Sequence, residues 1–529
     1  MPVVTPSCPA VKTPQFTPLQ MMVVAAASKR SVILAESLRN LLWENVSRLV
    51  DLTLLFMSTA PTPQGMFDFE CRLADRLRQA GLEVMQFAVN HLEPEEAEEM
   101  PRRVRRGSEE YSRKSRKTRH RGGVACRFGM LELWRWSYEP LSEESDSGLK
   151  SMAPLAEQLG LVAGKATPAL AEVIGRLSQE RSESSVGECL RREHQVTLAA
   201  ETVCLVRDAV ARGIARHLED EQVRMLLEMI RAGRAQGQVI LSAGRDGIFV
   251  PQRGAKDDRW KEAAVGTVSV YVKPLRGELR RLGTVYLGQM PQPGQEELSD
   301  HLTSLLRRVL SDDCARNLRL VYLTDAGHHP QEYYHSVLRN MDDPHRPGEK
   351  LDWTWIVDFF HASGRLDALA NGLFRNPTAA AEWVRRMRHC LKHDSNAVSR
   401  ILHSASALKP KSIRGRVREE YDKAYNYLLN YRRNMDYASY RAEHLPIGSG
   451  VTEAACKTVF TQRFKCSGMI WNRDKDYDHR DPEATITGAR SVLILRLAVL
   501  SRVWPAVFQA FLDTKTISAK TIVNSQLLT

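Results

Sequence analysis

The sequence predicts an α/β protein in which a mixed five-stranded sheet with flanking helices is interrupted by an all-helical insertion and preceded by a mainly helical N-terminal region. Three observations support this fold class. Residues 237–364 show three strand patterns, then a helix, a strand, a helix, a strand and a helix. Residues 365–445 have helical apolar spacing without a strand pattern, and residues 25–235 are mostly helical.

The N-terminal region contains two segments of different composition. Residues 1–24 are rich in Pro and Thr, and we predict a disordered tail. Residues 25–140 predict a helical region that also contains a basic arm and short strands. Its first helix covers 25–57, two prolines interrupt the pattern, and a second helix runs over 67–92.

A strongly basic run over residues 101–123 precedes alternating, strand-like residues over 126–138. Clustered Lys and Arg side chains could form an arm that contacts phosphates. A solvated linker is an equally consistent interpretation. The candidate DNA-contacting residues of this arm are Arg113, Lys114, Arg116 and Lys117.

Residues 150–235 predict a helical region that resembles a helix-turn-helix. A first helix is followed by a break near residues 195–197 and by a second helix. In DNA-binding proteins of this shape the second helix can enter the major groove. Any two packed helices give a similar pattern, so both interpretations stay open.

The first part of the α/β core is predicted over residues 237–364. Short connections between the first three strands favour an antiparallel meander, and the alternation that follows favours parallel crossovers. Asp246, followed by glycine, is predicted to end the first strand, and Asp325 to end the fourth. After the insertion, closing helices are predicted over 446–510 and a mobile tail over 511–529.

The composition favours a polyanionic partner. The chain has 529 residues, with 75 Lys and Arg against 63 Asp and Glu, and a formal net charge of +12. Nucleic acid is the leading candidate, although a basic protein without such a partner has the same totals. The nine cysteines include no Cys-x-x-Cys pair, which argues against a disulfide framework or a Cys-rich zinc module.

No secretory signal is predicted, because no small-residue cleavage site follows a basic start and an apolar run. The most apolar stretch, residues 49–57, contains Asp51 and is far shorter than the about 20 apolar residues that a membrane span needs. We therefore expect a soluble, cytoplasmic protein with no membrane partner.

Three carboxylates could form one site. The strands ending in Asp246 and Asp325 are commonly neighbours in a sheet of this order, so their side chains should converge. Mg²⁺ prefers oxygen ligands, and two ions about 3.5–4 Å apart can stabilise both oxygens of a phosphoryl transfer. Glu453 is the candidate third carboxylate. Taken singly, Asp-Gly is a common turn pair, and a first-turn Glu complements the helix dipole.

The segment PIGSGVTEAACK, residues 446–457, suits that third carboxylate. Its two glycines allow the backbone to approach a ligand closely, and Ser449 or Thr452 can cap the helix that follows. Lys457 comes four residues after Glu453 and shares its helical face, where it could meet a phosphate.

These motifs resemble a DDE transposase of a bacterial insertion sequence, in the ISKra-type group related to the Mutator-like superfamily. The resemblance covers residues 100–505. Its most specific part is PIGSGVTEAACKTVFTQRFKCSGMIW followed by GARSVLILRL, which is similar to the family's Gly-Ser-Gly-x-x-Glu block, its Arg/Lys-Ser-Gly-Met-x-Trp continuation and its closing helix. Asp358-Phe-Phe-His361 resembles the family's Asp-x-x-His signature.

The resemblance implies an RNase H-like fold in which Asp246, Asp325 and Glu453 bind two Mg²⁺ (or Mn²⁺) ions. It implies cleavage of double-stranded DNA at transposon terminal repeats, joining of the freed 3′-hydroxyl to target DNA, and a homo-oligomer acting on paired ends in a bacterial nucleoid. The chain departs from the family pattern at Ala326-Gly-His-His, where Gly-Ala-aromatic is usual. YEPLSEESDSG stands where relatives carry a Cys-pair zinc motif, so we expect no zinc.

Other candidate residues have two interpretations each. His361 could orient an active-site carboxylate or approach the scissile phosphate, or it could be a buried histidine at a helix start, bonded to Asp358 or to backbone. Trp471 could stack on a base or belong to the core. His328 and His329 are expected in a loop and not as ligands. The helix after the third carboxylate supplies further candidate DNA contacts: Lys457, Arg463 and Lys465.

The leading hypothesis is therefore a metal-dependent DNA transposase. A catalytically silent DNA-binding repressor derived from a transposase is an alternative, which the retention of all three carboxylates disfavours. A nuclease of the same fold without a joining step is a third hypothesis.

Overall fold

The computed structural model describes residues 27–141, 151–253, 259–292, 295–410, 412–472 and 486–524. The chain forms two compact units. The first contains the described residues up to Leu159, Cys189–Thr197 and those from Lys520 onward. The second contains Gly160–Glu188 and Leu198–Ala519. The tail predicted over residues 1–24 lies outside the described residues.

The first unit begins with a helical hairpin. Helix α1 (Ala27–Met57) and helix α2 (Pro63–Asn90) are close to the two helices predicted from apolar spacing. Phe56 and Phe69 stack across the hairpin with ring centroids 4.3 Å apart. The prolines between the predicted helices mark the turn, since Pro63 is the first residue of α2.

Short strands follow the hairpin: β1 (Arg103–Arg106), β2 (Glu109–Arg113), β3 (Thr118–Arg119), β4 (Val124–Cys126), β5 (Gly129–Leu131), β6 (Trp134–Arg135) and β7 (Tyr138–Pro140). The basic run is therefore neither an extended arm nor a linker, because β1 and β2 pair as an antiparallel hairpin within it. The short helix α3 (Pro154–Gln158) completes this part of the chain.

Three longer helices precede the main sheet: α4 (Pro168–Ser178), α5 (Glu183–His194) and α6 (Ala200–Arg234). The break between α5 and α6 matches the one predicted near residues 195–197. However, α6 has 35 residues and buries Val206, Leu226 and Ile230 among others. Leu226 and Ile230 belong to the core under the main sheet, so α6 serves the packing of that sheet.

The main sheet contains β8 (Gly237–Pro251), β9 (Trp260–Pro274), β10 (Arg280–Gln289), β11 (Arg319–Thr324) and β12 (Trp353–Val357). Its order is β10-β9-β8-β11-β12. The pairs β10–β9 and β9–β8 are antiparallel, whereas β8–β11 and β11–β12 are parallel. The predicted mixed five-stranded sheet, with a meander followed by crossovers, is confirmed.

Strand β8 is longer than predicted. Asp246 pairs with Val265 and Gly247 with Ala264 in the β8–β9 ladder, so the Asp-Gly pair is not the turn that ends the strand. Hydrogen bonds to the continuous antiparallel strand β9 satisfy the backbone of these residues and outweigh the turn preference of the Asp-Gly pair. Pairing with β11 nevertheless ends at Ala243, so Asp246 lies just beyond the parallel part of the sheet.

The remaining helices are α7 (Glu296–Leu310), α8 (His328–Ser336), α9 (Phe359–Leu373), α10 (Pro377–His393), α11 (Ala397–Leu408), α12 (Gly415–Tyr431), α13 (Tyr437–Ala442), α14 (Gly450–Ala455), α15 (Gln462–Phe464), α16 (Gly488–Leu500) and α17 (Trp504–Lys520). A π-helical turn, Cys456–Thr461, joins α14 to α15. Helices α10 to α13 form the helical insertion, which shares one core with the sheet through Trp383 and Tyr421.

The end of the chain differs from the predicted mobile tail. Helix α17 continues to Lys520, and residues Ile522–Asn524 form strand β13, which pairs with β1. The resulting sheet of the first unit has the order β13-β1-β2-β7. Within the described parts of the chain, no helix is both long and apolar enough to cross a membrane.

Candidate active site

Asp246 stands on β8 with its carboxylate held by neighbouring donors. Its Oδ1 accepts the Gly247 N–H over 2.8 Å, and its Oδ2 accepts the Cys456 thiol over 3.3 Å. Cys456 opens the π-helical turn, a rare geometry that occurs frequently at functional sites. The contact therefore ties the first predicted carboxylate to the segment that carries Glu453.

Asp325 follows the last residue of β11, as predicted. Its Oδ1 accepts the Gly327 N–H over 2.9 Å, while the Thr324 hydroxyl oxygen accepts the Ala326 N–H over 3.2 Å. Ala326 has φ of 64°, in the left-handed region that favours glycine. The loop is thus a tight turn that fixes the Asp325 carboxylate beside the strand end.

The helical insertion supplies two donors to the same loop. The Tyr427 hydroxyl donates to the carbonyl oxygen of Asp325 over 2.8 Å. The Tyr431 hydroxyl, 3.2 Å from the Ala326 carbonyl oxygen, also lies 2.8 Å from Gln331 Oε1. These contacts were missed in the sequence, because tyrosines in a helix about 100 residues away carry no signal of their partner.

Glu453 lies in the first turn of α14, and its helix docks directly on the sheet. The Thr452 hydroxyl is 2.8 Å from the Thr267 hydroxyl on β9. A Cβ added at Gly244 would stand 2.4 Å from Thr452 Oγ1, so β8 needs glycine at this position. Neither Ser449 nor Thr452 caps α14 through its side chain, which corrects the predicted capping role.

The glycines before Glu453 differ in their surroundings. A Cβ at Gly448 would lie 3.0 Å from the Phe360 ring, whereas a Cβ at Gly450 would meet nothing within 4 Å. Gly448 therefore makes room for the Phe360 ring, and the predicted approach of this backbone to a ligand stays a prediction.

Asp358 anchors the segment before Glu453. It is fully buried, and its two carboxylate oxygens accept the backbone N–H groups of His361 and Ser449. The Phe359 N–H also donates to the Ile447 carbonyl oxygen over 2.9 Å. Through these bonds the end of β12 sets where α14 begins.

His361 fits both interpretations made from the sequence, the structural one and the functional one. Its Nδ1 is 3.3 Å from Asp358 Oδ1 and 3.1 Å from Glu453 Oε1, and its side chain is 39% exposed. With two carboxylates facing Nδ1, that nitrogen carries a proton. His361 is therefore both bonded to Asp358 and in direct contact with the candidate carboxylate.

The pKa values of Asp246 and of the neighbouring Cys456 thiol are both raised. Burial and the charge of Asp325 raise the pKa of Asp246. Burial also raises the pKa of the Cys456 thiol, and Asp246, Asp325 and Glu453 each raise it further. Charges shift a pKa strongly only at close range. The charges of all three predicted carboxylates therefore act on the Cys456 thiol, which also contacts Asp246 directly.

The histidine compensates part of this negative charge. Its hydrogen bond with Asp358 raises the pKa of His361, and the charges of Asp358, Glu453 and Asp325 act in the same direction. Burial would raise the pKa of Asp358, but hydrogen bonds from His361 and Ser449 outweigh it and leave that pKa lowered. Asp358 is thus held as an anion and His361 favours its cationic form.

Among the described residues, two sets of three side chains could hold a metal ion through ligand atoms within 4.8 Å of one another: Asp358, His361 and Glu453; and His328, His329 and Glu332. The predicted set of Asp246, Asp325 and Glu453 does not meet this distance. In the first set Asp358 already accepts two backbone N–H groups, which favours an anchoring role. In the second set the two histidines open helix α8, so the expectation that they lie in a loop is corrected.

The candidate DNA contacts near the site separate into two groups. Lys457 is exposed, and Lys465 places Nζ 5.4 Å from the centre of the exposed Trp260 ring. Arg463, in contrast, is 1% exposed and donates to the carbonyl oxygens of Ser178 and Arg181. Its prediction as a DNA contact is corrected, because its guanidinium is committed to the end of α4 and the turn that follows.

Of the two interpretations of Trp471, base stacking and a core residue, the structure favours the core residue. Its indole Nε1–H donates to the Phe464 carbonyl oxygen over 3.0 Å, and its ring packs on Phe464 at 4.9 Å. Its backbone pairs with Gln252 beyond the end of β8. The ring is therefore half-buried and engaged within the protein.

Most candidates in the basic run of the first unit have internal partners. Arg113 donates to the Met100 carbonyl oxygen over 2.9 Å, and Lys117 donates to Glu95 over 2.8 Å. Lys114 pairs with Glu139 at 2.7 Å, whereas Arg116 is exposed. Arg113, Lys114 and Lys117 would therefore have to break these contacts to reach a phosphate.

Phe360 is a surface residue that sequence reasoning missed. Its side chain is 66% exposed, although it lies between Asp358 and His361 in sequence and its ring packs beside Gly448. An exposed aromatic ring at the rim of a charged site can stack on a base. The neighbouring Phe359 is buried, so only the fold distinguishes the two rings.

Comparisons with known proteins do not identify a family: no family model matches the chain, and no curated protein gives a significant match. The functional conclusion therefore rests on the residues themselves.

Proposed function

We propose that the protein is a transposase that cleaves double-stranded DNA at insertion-sequence ends and joins those ends to target DNA. One observation carries the proposal: three carboxylates from distant parts of the sequence come to neighbouring elements. The Cys456 thiol, three residues after Glu453, donates to Asp246 over 3.3 Å, and Asp325 follows β11, the strand that pairs with β8. Such a convergence of carboxylates has no evident packing value, because like charges brought together in a partly buried place oppose folding.

The donor set fits hard divalent cations. Asp246, Asp325 and Glu453 offer carboxylate oxygens, which Mg²⁺ and Mn²⁺ prefer. Burial, and after it the charge of Asp325, raises the pKa of Asp246, and a bound cation would favour its ionised form against both effects. Mg²⁺ (or Mn²⁺) bound there would stabilise charge on the attacking and leaving oxygens of a phosphodiester. In this proposal two ions serve the site, and Glu453 contributes the carboxylate oxygen that His361 does not contact.

Protein groups around the site would hold the reactants in place. His361 orients Glu453 through the 3.1 Å contact and offers positive charge to a nearby phosphate. Tyr427 and Tyr431 fix the backbone that carries Asp325. Positioning of this kind matters because a misplacement of about 1 Å can cost a factor of about 10² in rate.

The DNA partner is proposed from charge and exposed aromatic surface. The chain carries a formal net charge of +12. Near the site, Lys457 is exposed and Phe360 presents its ring to solvent. A cation for the backbone and a ring for a base are the two elements that single-stranded segments at a cleavage site require.

The test is a strand-transfer assay with labelled duplexes taken from the DNA that flanks the coding region, in Mg²⁺ and in EDTA. We compare the native protein with Glu453→Gln and with Glu443→Gln as a matched control. Glu443 is exposed and pairs with Arg319 at 2.6 Å on the surface, so its change should leave joining almost unaffected. Glu453→Gln should reduce joining by about 10²–10³-fold, since several kcal/mol of charge stabilisation is lost.

The outcomes separate the candidate functions. Equal joining by the native protein and Glu453→Gln would refute the role of this carboxylate. Cleavage without joined products would indicate a nuclease, and binding that persists in EDTA without cleavage in any metal would indicate a silent repressor. Inverted repeats just outside the coding region would independently support transposition.

A further inference from the structure

Three potential metal ligands lie together at the start of helix α8, and none of them is a proposed catalytic carboxylate. His328 and His329 open the helix, and Glu332 comes four residues after the first and three after the second. Residues at this spacing share one side of a helical turn. His328 Nδ1 lies 3.9 Å and His329 Nδ1 lies 4.0 Å from Glu332 Oε2. The centroids of the two imidazole rings are 5.4 Å apart. We call these three residues the α8 cluster.

The other side of this turn is fixed to the main sheet and to α7. Pro330 and Tyr333 are buried, and the Tyr322 hydroxyl on β11 donates to the Pro330 carbonyl oxygen over 3.1 Å. The Tyr333 hydroxyl lies 2.9 Å from Thr303 Oγ1 on α7. The side chains of the α8 cluster are exposed by 85%, 31% and 64% in sequence order. The backbone of the turn is therefore held in place, while the ligand atoms stay accessible to solvent.

The spacing of these ligand atoms suits a tetrahedral metal ion after small side-chain rotations. Zn²⁺ binds nitrogen and oxygen ligands at about 2.0–2.2 Å, which sets neighbouring ligand atoms roughly 3.4 Å apart. The two nitrogen–oxygen distances in the cluster exceed this value by about 0.5 Å. Exposed side chains can rotate by this amount without moving the buried side of the turn.

The donor atoms select a transition metal. Two imidazole nitrogens and one carboxylate suit Zn²⁺, Co²⁺ or Ni²⁺, whereas Mg²⁺ prefers oxygen ligands. Three protein ligands leave the fourth tetrahedral position to water. The α8 cluster therefore differs in its chemistry from the proposed magnesium site, whose candidate ligands are all carboxylates.

The family resemblance does not account for the cluster. The two histidines stand where the sequence departs from the family pattern, at Ala326-Gly-His-His. The Cys-pair zinc motif of relatives is expected elsewhere, over residues 138–148, where this chain has no cysteine. The α8 cluster is therefore a feature of this chain and not a displaced copy of that motif.

One effect opposes a cation at this position. The N-terminal end of a helix carries partial positive charge, which should weaken binding by a factor of about 2–5. Helix α8 has no acidic residue in its first turn to offset this charge. Direct ligands contribute more, since changing only the outer hydrogen-bond partners of metal ligands already alters affinity by about 10–100-fold. The helix dipole therefore lowers the affinity of the cluster without removing it as a site.

We propose that the α8 cluster binds one Zn²⁺ ion, or a similar divalent transition metal, through His328, His329 and Glu332. This replaces the expectation from the sequence that the two histidines are not ligands. The inference does not depend on the proposed DNA chemistry, because all three ligands lie outside the predicted catalytic set.

The bound ion would hold the first turn of α8 closed. That turn begins at Gly327, whose carbonyl oxygen accepts the Gln331 N–H over 3.0 Å. The Gly327 N–H in turn donates to Asp325 Oδ1 over 2.9 Å. Metal binding at the cluster therefore stabilises the turn that positions the Asp325 side chain.

Equilibrium dialysis of the full chain against Zn²⁺, with millimolar Mg²⁺ present, tests the site. In every protein compared, Cys8 and the exposed Cys71 and Cys466 are changed to Ser, so that their thiols do not bind the ion. His328→Ala combined with His329→Ala should raise the dissociation constant at least about a hundredfold, because it removes two direct ligands. Glu332→Gln should raise it at least about tenfold for the same reason.

The matched control is His301→Ala combined with His403→Ala, since both histidines are exposed on helices, α7 and α11. This control should bind Zn²⁺ as tightly as the starting protein. Hydrogen exchange reports on the turn itself: Zn²⁺ should increase protection of residues 325–336 in the starting protein and in the control, but not in the His328–His329 double variant. Circular dichroism equal to that of the control shows that the double variant is folded.

Three outcomes would overturn the proposal. The first is a starting protein that does not bind Zn²⁺, and the second is an unchanged dissociation constant in the His328–His329 double variant. The third is a dissociation constant that rises with Glu453→Gln and not with the histidine changes. That last result would place the ion beside His361 and Asp358, and it would leave the proposed function standing.

Discussion

Replacing Gly244 by alanine tests how α14 is held against the sheet. The added Cβ would stand 2.4 Å from Thr452 Oγ1, 3.0 Å from the Leu323 carbonyl oxygen and 3.1 Å from Thr267 Oγ1. An ordinary van der Waals contact of a Cβ atom begins at about 3.4 Å, so Thr452 Oγ1 must move by about 1 Å. The Leu323 carbonyl belongs to β11 and cannot move freely, which directs the movement to α14 and hence to Glu453.

The expected cost is that of an overpacked core. Gly244→Ala should lower the free energy of unfolding of the second unit by about 1–3 kcal/mol. Thr452→Ala should cost about 1–3 kcal/mol on its own, because it leaves the buried Thr267 hydroxyl without this partner. In the double variant the clash with Oγ1 is absent, so the combined loss should be smaller than the sum by at least about 0.5 kcal/mol.

A double-mutant cycle by urea denaturation measures this difference on the transition of the second unit. Thr452→Ser is the matched control, since serine keeps the hydroxyl and should not relieve the clash with the methyl group added at Gly244. Strand transfer by the Gly244→Ala variant should fall by about 10² if Glu453 moves with the helix. Additive losses in the alanine cycle, or equal relief by serine, would refute the docking of α14 on Gly244.

Further changes have defined outcomes. Tyr427→Phe removes the 2.8 Å hydrogen bond to the Asp325 carbonyl, and strand transfer should fall at least tenfold while DNA affinity in a filter-binding assay stays unchanged. Arg463→Ala should lower the free energy of unfolding in urea by about 1.5–3 kcal/mol per strong hydrogen bond lost. Lys457→Ala should instead keep stability and reduce the slope of log K against log salt by about 0.9. Burial raises the pKa of Glu93 from 4.5 to about 7, so the stability of the first unit should fall as pH rises through that window, and Glu93→Gln should abolish the fall in fluorescence-monitored urea titrations. An unchanged pH slope in that variant would assign the effect to other groups.

The order of strands could be predicted because it depends on local patterns. Short connections make an antiparallel meander the natural arrangement, and intervening helices require parallel crossovers. The end of β8 could not be predicted in the same way. An Asp-Gly pair usually indicates a turn, but here β9 continues alongside and pairs with both residues, so a partner 19 positions away decides the local conformation.

The three proposed carboxylates could be nominated from the sequence, because Asp325 follows a strand, Glu453 follows a glycine-containing motif, and Asp246 precedes a glycine, although Asp246 lies within its strand. The roles of the basic side chains could not be predicted from the sequence. Arg463 and Lys457 stand in the same short segment, yet Arg463 turns inward to carbonyl oxygens at Ser178 and Arg181 while Lys457 stays exposed. Only the position of α4 distinguishes them, and no pattern within the segment contains it. Trp471 follows the same rule, since its partner is the backbone beyond β8.

The helical insertion has a further task that follows from sheet order. Strand β12 is an edge of the five-stranded sheet, so its outer carbonyl groups lack a strand partner. Asn434 Nδ2 donates to the Trp355 carbonyl oxygen over 3.1 Å, and the Tyr437 hydroxyl donates to the Val357 carbonyl oxygen over 2.8 Å. The insertion therefore covers this edge with side-chain donors.

The same insertion also fixes the loop after the neighbouring strand β11 through Tyr427. Its donors thus reach the ends of both strands that carry acidic residues, Asp325 after β11 and Asp358 after β12. The chain then returns directly to Ser449, whose N–H binds Asp358, and only four residues later presents Glu453. An insertion at this point of the sequence lets one helical layer secure the strand ends before the last carboxylate joins them.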